Sequence, residues 1–66
     1  MYTLSGIKKN AFNVTGYTAK ALNSTGHGNL VLKMFTEAIA GDYDHLVHVC
    51  QCYIDVANRS IGKIAE

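Results

Sequence analysis

From Tyr43 to Ile64, apolar side chains recur alternately four and three residues apart: Tyr43, Val47, Cys50, Ile54, Ala57, Ile61 and Ile64. A helix is the only regular structure that brings such positions onto one side. A second line, Leu46, Val49, Tyr53 and Val56, widens the apolar sector beyond a bare coiled-coil seam, so a helix over 42–64 must be covered on two flanks. Upstream, Leu30, Val31, Met34, Phe35, Ala38 and Ile39 keep the same period and predict a helix over 30–40, with Asn29 as its N-cap. Gly41 is placed to close that helix in a left-handed conformation. Asp42 is placed to cap the next helix, and Asp44 to meet its dipole. So short a link predicts an antiparallel helical hairpin.

The first third of the chain carries a different signal. Tyr2 and Leu4 alternate with Thr3 and Ser5, and Phe12 and Val14 alternate with Asn13 and Thr15 after Lys8, Lys9 and Asn10. Period-two alternation on either side of a polar tip predicts a β-hairpin over 1–22, with Gly6 and Gly16 where the alternation slips. A short helix over 15–22, capped by Thr15 with Tyr17, Ala21 and Leu22 on one side, is the alternative. Residues 23–29 contain two glycines and no apolar side chain, which predicts a loop. The fold class expected from these elements is α+β in one small domain, a hairpin followed by two helices.

A chain of 66 residues buries little of its surface, and this one is 48% apolar and only 17% charged, against about 25% charged in ordinary globular domains. The surplus predicts self-association as a homodimer through the long helix, with Tyr43, Val47, Cys50, Tyr53, Ile54, Ala57 and Ile61 at the protein interface.

Charge is divided along the chain. The first 36 residues hold Lys8, Lys9, Lys20 and Lys33 and no carboxylate, and all five carboxylates follow. Such a split can join parts of one fold, order two subunits, or offer a basic face. Nucleic acid is the alternative partner, through Lys8, Lys9 and Lys20, with Lys33 on the same half and Tyr2 and Tyr17 as stacking groups. A net charge of +1 and the lack of any basic run at helical spacing weigh against it.

Chemistry-bearing patterns are sparse. His45, His48, Cys52 and Asp55 share one ribbon of the long helix, and His48 with Cys52 has metal-ligand spacing; a tetrahedral site would need His45 and a further group such as His27. Two ligands do not make a site, so no metal and no cofactor is expected. Cys52 beside His48 lacks a cleft and an oxyanion donor pair, so no catalytic residue is assigned. Thr25 to Asn29 lacks the Gly-Lys-Ser/Thr ending of a phosphate loop. Cys50 and Cys52 diverge on a helix and read as free thiols of a reducing compartment, and no segment has a signal-peptide or membrane-span pattern, so a cytoplasmic location is expected. The expected function is that of a small non-enzymatic regulatory or inhibitory protein that binds and modulates a partner protein.

Overall fold

The computed structural model describes the backbone of residues 1–65 and the side chains of residues 1–62, so Lys63 and Ile64 lie outside the described side chains, and Glu66 lies outside altogether. An extended N-terminal strap, 1–10, leads into helix α1, Ala11–Ser24. A 3-10 turn, Gly28–Leu30, then runs directly into α2, Val31–Ala38, and a tight corner leads to α3, Tyr43–Ala65. No strand occurs among the described residues, and the expected β-hairpin and α+β class give way to an all-helical fold.

Asn10 is what overturns the hairpin. Its backbone is extended, and its side-chain oxygen accepts from Phe12 N at 2.8 Å and Asn13 N at 3.3 Å, so the residue read as part of a hairpin tip is the N-cap of α1. The buried positions Val14, Thr15, Thr18, Ala21 and Leu22 then fall at helical spacing. Two of them are threonines, whose hydroxyls donate to the carbonyls four residues back, Ala11 and Val14, each at 2.8 Å. With the hydroxyl satisfied, each buries its methyl group at little polar cost. The alternative helix over 15–22 lies inside α1, which starts earlier and is capped by Asn10 rather than Thr15.

Two expected caps are also replaced. Asn29 sits within the 3-10 turn, closed by Leu30 N donating to His27 O at 2.9 Å, and the N-cap position of α2 is Leu30, which makes no side-chain capping bond. Positive φ occurs at Gly6 and Gly26, at 84° and 81°, and not at Gly41. The end of α2 is closed instead by His45, whose Nε2 donates to Glu37 O at 2.9 Å. Gly41 serves clearance: a Cβ there would lie 2.7 Å from His45 Cγ. Asp42 does cap α3, with Oδ1 accepting from His45 N at 2.9 Å, and Asp44 stands in the first turn.

Contacts between elements fix their directions. Val14 and Val47 wall one cleft, Thr18 lies beside Cys50, and His27 Nε2 meets Ser60 Oγ at 2.6 Å, so α1 and α3 ascend together. Glu37 meets both His45 and Tyr53, and Lys33 shares a shallow cleft with Val56, so α2 descends along α3. The strap descends as well, from Tyr2 at Asn58 to Lys9 at Asp44. At about 1.5 Å per residue, the 23 residues of α3 account for the 37 Å long dimension of the molecule. Leu22, Met34 and Cys50 are fully enclosed at the meeting of the three helices. Ala21 and Ala57, both fully buried, form with Ile54 a second cluster against which Tyr2, Leu4 and Tyr17 pack.

Candidate interaction surface

Because α1 and α3 run one way and α2 the other, the N-termini of α1 and α3 meet the C-terminus of α2 at one end of the bundle. Phe12, 85% exposed, stands in the first turn of α1, Ile39, 71% exposed, caps the end of α2, and Tyr43, 37% exposed, begins α3. Three of the large exposed apolar side chains therefore belong to one end. Beside them the strap turns at Gly6, with Ile7 N donating to Leu4 O at 3.2 Å, and leaves a cleft of about 570 Å³. Leu4, Ile7, Val14 and Val47 give that cleft apolar walls, and it also takes in Lys9 and Asp44.

A second apolar strip follows α2. Met34 and Ala38 are buried, while Lys33 and Glu37 turn toward Tyr53 and Val56 on α3. At about 100° per residue, Leu32, Phe35 and Ile39 occupy the opposite edge of α2. Leu32 is 77% exposed and Phe35 half-buried.

The interface expected from the heptad line is largely occupied within the subunit. Cys50, Ile54 and Ala57 have no exposed surface, Val47, Tyr53 and Ile61 are half-buried, and Tyr43 is the one described member that stands out. Tyr53 donates its hydroxyl to Glu37 Oε1 at 2.9 Å, and desolvation, followed by the hydrogen bond and charge of Glu37, raises the phenol above its ordinary pKa. The Cys50 thiol is pushed up by burial, with the Thr18 hydroxyl beside it pulling the other way.

The candidate nucleic-acid contacts are dispersed. Lys8 and Lys9 end the strap, Lys20 lies midway along α1, and Lys33 faces the α2 and α3 seam beside Glu37. Tyr2 and Tyr17 pack edge to face with ring centres 5.9 Å apart, each half-buried. The candidate ligand residues also part: His27 goes to Ser60, His45 to the α2 carbonyl, and Asp55 accepts from Gln51 Nε2 at 3.0 Å, while His48 and Cys52 are exposed on α3. Among the described residues no group of three or more His, Cys, Asp or Glu side chains could hold a metal ion. No helix of the described residues is long and apolar enough to cross a membrane.

Phe12, Leu32 and Ile39 were hidden from sequence reasoning, and for Phe12 the signal was available: it lies off the stripe of Val14, Thr18, Ala21 and Leu22. No protein-family model matches the chain, and neither a curated protein nor a solved structure matches it.

Proposed function

We propose that this chain is a non-enzymatic interaction protein that modulates a partner protein by covering part of its surface, and that it does so as a homodimer. The observation that carries this is the exposure of Phe12, Leu32 and Ile39 while the interior is closed without them. Scattered apolar side chains are normal on any surface, but Leu32 in α2 and Ile39 at its C-cap are seven residues apart on one edge, with Phe35 between them. That is the anchor spacing by which a helix seats itself in an apolar groove. The free thiols of Cys50 and Cys52 support a reducing, cytoplasmic setting for the role.

Affinity capture from native extract, with the parent chain and Leu32→Gln/Ile39→Gln side by side, tests the proposal. A protein retained by the parent at high salt and lost by the variant is the expected result. Equal retention by both chains, or retention of nucleic acid alone at low salt, overturns it.

A further inference from the structure

The topology gathers opposite charges at the same end as the exposed aromatic side chains. The end of the strap brings Lys8 and Lys9, and the start of α3 brings Asp42 and Asp44. Lys9 and Asp44 line one cleft together with Tyr43, Leu4 and Ile7. This end therefore joins apolar side chains to basic groups brought by the strap and acidic groups brought by α3. A two-fold axis exchanges equivalent surfaces, so a patch is self-complementary when each feature faces its opposite across the axis. Laying the basic side of one copy on the acidic side of the other does this here.

We infer that the occupant of this end is a second copy of the chain, docked about a two-fold axis with Lys9 of each copy facing Asp44 of its partner. The division of charge along the chain then has a structural meaning: parallel α1 and α3 turn a sequence-level asymmetry into two poles of one docking surface. A partner carrying one sign of charge would meet repulsion on half of this end, whereas a second copy meets attraction on both. The inference rests on the reading of the chain as an interaction protein but uses a different surface from the Leu32 and Ile39 edge. A chain that proves monomeric while its capture of a partner still depends on Leu32 and Ile39 would overturn the second-copy assignment and the homodimer, and leave the partner-binding reading standing.

Sedimentation equilibrium of the full chain over a wide concentration range gives the test. The parent is expected to reach the mass of two chains. Lys9→Glu and Asp44→Lys, each at an exposed position, are each expected to weaken self-association by about tenfold or more, because like charges then face one another on both sides of the axis. Mixed in equal amounts, the two variants restore opposite charges at both contacts and are expected to recover the dimer. Phe12→Ser, which changes no charge, is expected to weaken it without recovery by either charge variant. A monomeric parent, single charge variants that dimerise as tightly as the parent, or a mixture no more associated than its components would each overturn the inference.

Discussion

The carboxamide of Asn58 on α3 closes on the peptide of Tyr2 from both sides, accepting from Tyr2 N at 2.7 Å and donating Nδ2 to Tyr2 O at 2.9 Å. The side chain does for the strap what a neighbouring strand would do for an edge, offering one acceptor and one donor to one residue. Thr3 N adds a bond to Tyr17 Oη at 3.0 Å, and the edge-to-face contact of Tyr2 and Tyr17 seats the strap on α1. Strap, α1 and α3 are joined at this one place.

Replacing Asn58 with alanine removes both bonds. At about 0.5–1.5 kcal/mol per net hydrogen bond, the loss is about 1–3 kcal/mol, concentrated in the strap. Amide hydrogen exchange should then show Tyr2 and Ile7 losing protection while the core amides of α3 around Ile54 keep theirs. Equal loss in both regions would mean that the strap is not a separable element.

Asn10→Ala leaves Phe12 N and Asn13 N without their side-chain acceptor, and the loss of an N-cap of this kind costs about 1 kcal/mol. Thermal unfolding followed by circular dichroism should show a lower midpoint, and Asn10→Asp should recover most of it, since a carboxylate accepts the same bonds and suits the helix dipole. Neither change would matter if Asn10 sat at the tip of a hairpin.

Cys50 makes stability depend on alkaline pH. Its folded-state pKa is raised, so the unfolded chain loses this proton first as pH rises, and stability is fully present below the unfolded thiol pKa of about 8.5 and falls above it. The raised Tyr53 phenol adds a decline of the same sign at higher pH, discounted by its partial exposure to water. Urea midpoints measured from pH 7 upward should fall across the thiol range, and Cys50→Ser should remove that part of the slope. A disulfide-exchange reagent should label exposed Cys52 in the native protein and reach Cys50 on unfolding.

The helices 30–40 and 42–64 were legible because their apolar residues keep a 3.6-residue period over several turns, and the structure sets them at Val31–Ala38 and Tyr43–Ala65. The strap was not legible, and α1 only in part through the alternative helix over 15–22, for three physical reasons. Thr15 and Thr18 occupy core positions of α1 with their hydroxyls turned back to the helix, so the buried stripe does not look apolar in the sequence. Phe12, the one phenylalanine of α1, points away from that stripe into solvent, and with Val14 it imitated a strand. The alternation of Tyr2 and Leu4 did reflect an extended backbone with alternate side chains half-buried, but its partners are the side chains of Asn58 and Tyr17. The heptad line of α3 marked apolar positions without revealing their partner, since α1, hidden in the sequence, covers Cys50, Ile54 and Ala57 inside the subunit. Asn10 could have been read differently, as the cap just before a helix.

Leu32 and Ile39 are surplus to folding, and equilibrium urea unfolding of Leu32→Gln/Ile39→Gln measures that directly. Glutamine keeps the helix propensity, so each change should shift stability by no more than about 0.5 kcal/mol, as at other exposed sites. A loss of about 2–5 kcal/mol, the size expected for Met34→Ala in the enclosed core, would show that these side chains hold the subunit together and would contradict the account.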